Sequence, residues 1–183
     1  PKSKVARKHP DWLGPSNTVN LHIPAAAAWM ESEVCRLVEE HDLDLYRLDY
    51  NPSFKFGETP RDGFKENDCW RYYEAFYAAY ERIHKKYPNL ILQQAAAGGG
   101  RNDLGTCIRF HEPYLTDGLW IPRELAIYSG LTLGLPPENF VILHLAHGGG
   151  VGMGLPQALD TILRMSYATS TPQIFVGTVA PSV

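Results

Sequence analysis

Asp44-Leu45-Tyr46-Arg47-Leu48-Asp49-Tyr50-Asn51 reads as a β-strand that carries a cation, a carboxylate and an amide along one of its faces. Residues two apart in a strand share a face, so Arg47, Asp49 and Asn51 line one side and Tyr46, Leu48 and Tyr50 the other. The second set can pack under helices. The first points charge inward at the end of a strand, where burial is costly unless the groups pair or bind something polar. Arg47 and Asp49 are therefore either a satisfied ion pair of the core or part of a site, and charged groups at strand ends in β/α barrels are commonly functional.

Working outward, Thr18 to His22, Leu43 to Tyr50, Leu90 to Ala95, Glu112 to Thr116, Phe140 to Leu145 and Gln173 to Val179 read as strands. Helical patterns separate them, and such alternation predicts an α/β protein with a parallel sheet. Pro24 opens a helix in which Ala26, Met30, Val34, Leu37, Val38 and His41 share a face. Trp70, Tyr73, Tyr77, Tyr80, Ile83, His84 and Tyr87 mark a second helix, stopped by Pro88, and Leu155, Leu159, Ile162, Leu163 and Ser166 a third that begins near Pro156. The segment from Asn51 to Asn67, which follows a strand, is long and polar, whereas the turns entering strands, His41-Asp42 and Pro88-Asn89, are short. In β/α barrels the loops after the strands build the site. About six strands are visible where a closed barrel needs eight, which predicts part of a (β/α)8 barrel or, failing that, an open doubly wound sheet.

Two further stretches carry chemistry. Gln93-Gln94-Ala95-Ala96-Ala97-Gly98-Gly99-Gly100-Arg101 is a strand running into glycines, where backbone and ligand can approach closely and successive N–H groups could bind a hydroxyl or an anion. Its spacing fits neither the P-loop nor the dinucleotide-binding pattern. His111-Glu112-Pro113-Tyr114-Leu115-Thr116-Asp117-Gly118-Leu119-Trp120 ends a strand with an acid and then an indole. Asp117 alone suits a helix N-cap before Pro122. With Asp49 as a partner it suits retaining glycoside hydrolysis, which needs two carboxyl groups about 5 to 5.5 Å apart, and Trp120 suits the apolar face of a sugar ring.

Other readings fall away. His144-Leu145-Ala146-His147-Gly148-Gly149-Gly150 has the look of an esterase oxyanion loop, but no GxSxG elbow accompanies it. The two histidines have no carboxylate nearby to complete a metal site, so no metal and no cofactor is expected. Cys35, Cys69 and Cys107 are widely spaced and read as buried thiols. The 183 residues suffice for one domain with a real core, and 44% hydrophobic with 20% charged residues is the composition of a folded chain. A net charge of −3 gives no footprint for nucleic acid, and no apolar run nears the roughly 20 residues of a membrane span.

Taken in order, His9-Pro10-Asp11-Trp12, Asn20-Leu21-His22-Ile23-Pro24, Tyr46-Arg47-Leu48-Asp49-Tyr50-Asn51, Ala97-Gly98-Gly99-Gly100-Arg101 and Thr116-Asp117 resemble the catalytic barrel of glycoside hydrolase family 36. The resemblance covers nearly the whole chain and is most specific from Leu43 to Asp117. It implies a retaining α-glycosidase acting on terminal α-linked galactose or related sugars, with Asp49 as nucleophile and Asp117 as acid/base. By the resemblance Arg47, Asn51, Gly98 and Arg101 would line or support the sugar pocket, and Trp120 is added to them on the chemistry of its indole alone. Transfer of the glycosyl group to another sugar is the neighbouring activity, and a non-catalytic carbohydrate-binding or assembly piece is the alternative of another class.

The chain departs from the family pattern at three places: Ala95 stands for a cysteine, Arg47 for the strand lysine, and Trp120 for a second aspartate. Arginine for lysine exchanges a point charge for a planar fork and would reshape the hydroxyl contacts. Family members are usually much longer. Residues 1 to 183 are therefore expected to be a catalytic barrel domain holding the later strands, completed by the remainder of a longer polypeptide or by another copy.

Overall fold

The computed structural model describes residues 3–14, 17–50, 57–117, 121–145 and 171–175. The chain forms two compact units, one of Pro1–Tyr46 with Asn51–Ile91 and one of Arg47–Tyr50 with Leu92–Val183.

In the first unit, helix α1 (Lys4–Lys8) and a single turn at Pro10–Trp12 lead to α2 (Pro24–His41). Proline at the first helical position starts α2 at no hydrogen-bond cost, and Asp42, in the left-handed region at φ 49°, ends it. Ala26, Ala27, Val34 and Val38 form its buried stripe. Helix α3 (Asp68–Lys86) is capped by Asn67, whose side chain accepts from the Cys69 amide, and His84, Lys85 and Lys86 complement its carboxyl end. Arg82 reaches Glu31 at 2.7 Å and Lys86 reaches Glu39 at 2.8 Å, tying α3 to α2 through exposed pairs of small individual worth.

Three expectations change here. Thr18 to His22 is not a strand: Val19 makes an isolated antiparallel bridge with Leu13, and Asn20 donates to the Trp12 carbonyl. The buried face of α3 is Tyr72, Phe76, Ala79, Tyr80 and Ile83, rotated from the sequence reading, and Trp70 is 63% exposed. The segment before α3 is no plain loop, because β2 (Glu58–Arg61) and β3 (Phe64–Asn67) pair as a hairpin. Its two-residue turn, Asp62-Gly63, has φ values of 47° and 84°, the backbone that a tight hairpin requires.

Strands β1 (Leu45–Leu48), β4 (Ile91–Gln94) and β5 (Glu112–Pro113) form a sheet in that order. Ile91 donates to the Asp44 carbonyl and Ala95 to that of Leu48, so β1 and β4 run the same way. β4 and β5 are parallel, with Gln93 opposite Glu112. A parallel bridge from Tyr114 to Val141 continues the series to β6 (Val141–Leu145), which pairs in parallel with β7 (Thr171–Phe175). The molecule is thus an α/β protein with parallel strands.

In the second unit α4 (Ala96–Gly99) and α5 (Leu104–Cys107) are single turns, and Asp103 caps α5 by accepting from the Thr106 amide at 3.0 Å. Helix α6 (Ile121–Leu131) starts beside Pro122, where the sequence offered a helix start, and its Leu125, Ile127, Tyr128 and Leu131 pack against buried Leu115 and Phe140. The expected helix from Leu155 to Ser166 lies outside the described residues. Among the described residues no helix is long and apolar enough to cross a membrane.

Only Cys107 of the three thiols is buried, while Cys35 and Cys69 are half-buried. Burial, with a smaller contribution from the Asp103 charge, pushes the Cys107 thiol up to about 11. The thiolate is the reactive form. Timed labelling with a maleimide at pH 7.5, read by peptide mass spectrometry, is expected to modify Cys107 at least tenfold more slowly than Cys35 or Cys69; equal rates would refute its placement.

Candidate active site

Asp49 follows β1, and Asp117 follows the β5 segment, so both stand at carboxyl ends of strands in one parallel series. Asp117 is exposed. Arg47 shares a strand face with Asp49, and its Nη2 lies 3.7 Å from the Asp49 Oδ2, with the two side chains 28% and 50% exposed. The two groups therefore pair, but the pair opens to solvent and is not the sealed ion pair of a core that the sequence left as one alternative.

The Arg47 guanidinium also meets Gln93 and Tyr114. Its Nη1 donates to Gln93 Oε1 at 2.9 Å, and its carbon lies 4.7 Å from the centre of the Tyr114 ring. Gln93 in turn donates through Nε2 to Glu112 Oε2 at 2.9 Å. Tyr114 is 2% exposed, and burial pushes its phenol up. The charge of Asp117 adds to that shift and Arg47 opposes it, so this ring lies within electrostatic reach of both. Buried Glu124, in the first turn of α6, contributes in the same direction as Asp117.

The glycine turn gives the second half of the geometry. After β4 the chain enters left-handed backbone at Ala97, Gly98 and Gly99, with φ values of 51°, 61° and 80°. A β-carbon on Gly98 would lie 2.7 Å from the Asp117 nitrogen and 2.8 Å from its Oδ2. One on Gly99 would lie 2.3 Å from the Leu115 carbonyl oxygen. Glycine is required at both positions because the turn sits directly on the segment that carries Asp117. The amides of Gly99 and Gly100 donate to the carbonyls of Ala95 and Ala96, so these two do not present the free N–H groups that the glycine run suggests.

Arg101 closes the turn onto the end of β1. Its Nη1 donates to the Tyr50 carbonyl at 2.7 Å and its guanidinium stacks 4.1 Å from the Tyr50 ring centre. The Tyr50 ring thus meets a cation. Gln94 donates to the Arg101 carbonyl and Asn102 to that of Tyr114, both at 2.9 Å, which locks the turn between β1 and β5.

The structure therefore brings together Arg47 with Asp49, Gly98 with Asp117, and Arg101 with the residue beside Asp49. Asn51, Trp120 and His147 lie outside the described residues, as does the side chain of His144. Gln93, Glu112 and Tyr114 were not singled out from the sequence. The one local signal was an amide at Gln93 inside an expected strand, which needs a polar partner once buried but does not say which.

Strands that run one way, with ionisable groups at their carboxyl ends, define a parallel α/β protein of the kind that builds its sites in the loops after the strands. The chain belongs to the melibiase family, whose model matches residues 1–146. It is 26% identical over 158 residues to an α-galactosidase of Escherichia coli, a match that takes in 80% of this chain and 22% of that protein. In structure it is similar to a family 36 α-galactosidase of Geobacillus stearothermophilus, with a TM-score of 0.81 and 17% identity over 99% of this chain and 27% of the other. A second α-galactosidase of that organism, a variant solved in complex with stachyose, gives a TM-score of 0.80 at 17% identity, again over 99% and 27%. The chain spans between 22% and 27% of the length of these relatives.

Proposed function

We propose that this chain is the catalytic portion of a retaining α-galactosidase-like glycosidase, in which it supplies the later strands of a (β/α)8 barrel and the remainder of a longer polypeptide supplies the rest. The observation that supports this reading most is the placement of Asp49 and Asp117 after strands of one parallel series in a chain of the melibiase family. The relative crystallised with stachyose suggests the substrate class, a terminal α-linked galactose.

In this mechanism Asp49 attacks the anomeric carbon while Asp117 gives its proton to the departing glycosidic oxygen, so one C–O bond forms as the other breaks. Asp117, now a carboxylate, takes a proton from water. The resulting hydroxide equivalent displaces Asp49 from the anomeric carbon, which restores both acids and retains the anomeric configuration. The positive charge of Arg47 attracts Asp49 in its anionic form.

Incubating the gene product that contains this chain with a mechanism-based α-galactoside tests the reading. Peptide mass spectrometry is expected to find one glycosyl adduct, on Asp49. An adduct on another residue, or none while a natural α-galactoside is turned over, would refute it.

A further inference from the structure

A hydrogen-bonded chain crosses β1, β4 and β5 in the second unit: Arg47 donates to Gln93, and Gln93 donates to Glu112, each at 2.9 Å. Its polarity is set by chemistry. Guanidinium only donates and carboxylate only accepts, so the residue between them must accept on one side and donate on the other. The amide of Gln93 does both, and at 2% exposure it competes little with water.

The same contact decides where the rest of the guanidinium goes. With Nη1 committed to Gln93 and the plane resting on Tyr114, Nη2 stops 3.7 Å from Asp49, beyond hydrogen-bond length. At that separation the cation still attracts the carboxylate without a direct N–H bond at that oxygen. A guanidinium released from Gln93 could close the gap and form the bidentate pair that arginine and carboxylate favour. The attacking oxygen would then be occupied.

We propose that Gln93, anchored by Glu112, is a positioning residue that holds the fork of Arg47 back from Asp49 and so keeps the carboxylate available to attack. The inference rests on the reading of Asp49 as the nucleophile. It also accounts for arginine at position 47, since a lysine ammonium lacks a rigid fork that serves two partners at once.

The test uses the intact gene product with the variants Gln93→Ala, Gln93→Met, Arg47→Lys and Gln93→Ala/Arg47→Lys. Gln93→Met fills the same space without the amide, so a folding failure of Gln93→Ala leaves the test in place, with Gln93→Met then also combined with Arg47→Lys. Either Gln93 variant is expected to lower kcat on an α-galactoside roughly 10- to 100-fold, the scale of a misplaced reacting group, with KM changed less than about threefold. In the Arg47→Lys background the same Gln93 change is expected to cost less than about twofold, because the group it positions is gone. Equal losses in both backgrounds would overturn the proposal.

A second readout does not need activity. In guanidinium NMR of arginine-labelled protein, the Arg47 Nη signals are expected to be slowed and split in the parent and averaged in Gln93→Met; signals unchanged by that variant would overturn the proposal. If Asp49→Ala keeps full activity while the Arg47 signals respond to Gln93→Met, the glycosidase role of Asp49 falls and with it the functional half of the proposal, whereas the hold on Arg47 stands.

Discussion

Asp49→Ala in the intact gene product is expected to lower kcat/KM on every α-galactoside by a factor on the order of 10^4 to 10^6, the scale seen when a covalent enzyme loses its nucleophile. Asp117→Ala is expected to behave differently, because a proton donor matters in proportion to how poor the leaving group is. On a natural sugar leaving group the loss should be roughly 10^2- to 10^4-fold, and on an activated phenyl galactoside much smaller in the first step. Azide separates the roles. In the Asp49 variant it can attack from the vacated face and give the inverted galactosyl azide, whereas in the Asp117 variant it intercepts the glycosyl-enzyme and gives the retained one. Equal losses on both substrates in the Asp117 variant, with no azide effect in either, would mean that other carboxylates do the work.

The glycine run supplies the other large effect, with a control built into it. Gly99→Ala places a β-carbon 2.3 Å from the Leu115 carbonyl oxygen at φ 80°, so steric overlap and left-handed strain act together. A loss of about 3 kcal/mol or more is expected in the intact gene product, read as a clear fall in Tm. Gly98→Ala meets Asp117 at 2.7 to 2.9 Å and is expected to damage both stability and turnover. Gly100→Ala, at φ −65° and with its nearest neighbour at 3.4 Å, should stay within about 0.5 kcal/mol of the parent. Thermal melts of the three variants check this, and a Gly100 variant as unstable as the Gly99 variant would refute the turn geometry.

The strand that carries Arg47 and leads to Asp49 was legible in the sequence, because alternation puts both on one face and so makes their ion pair possible. That β1, β4 and β5 run parallel was legible from alternation of element types. The hairpin of β2 and β3 was not, since Pro60 and a run of charged residues hide a strand whose faces are both largely exposed, although Asp62-Gly63 is a hairpin turn signal. The face of α3 was misjudged because aromatic residues occur on all sides of it and only packing decides which of them are covered. In the site, Asp49 and Asp117 announced themselves as strand-end acids. Gln93 and Glu112 did not, because the meaning of a buried amide lies in a cross-strand partner that no local pattern names.

Arg47 and Gln93 are separated by 46 residues along the chain and Arg101 and Tyr50 by 51, whereas Gln93 and Glu112 are 19 apart. Closing the longer loops costs only about 0.8 kcal/mol more than closing the shorter, so these distances weigh little on equilibrium stability. They weigh on the order of assembly, because contacts between distant residues form only after the chain has searched for them. The glycine turn, whose bonds run from Gly99 to Ala95 and from Gly100 to Ala96, can close locally. A ribosome delivers β1 first, and its hydrogen-bonding edge toward β4 stays unpaired until Ile91 and the residues after it have emerged. Among the described strand pairings, that of β1 with β4 therefore joins the partners that lie farthest apart along the chain, and it waits longest during synthesis.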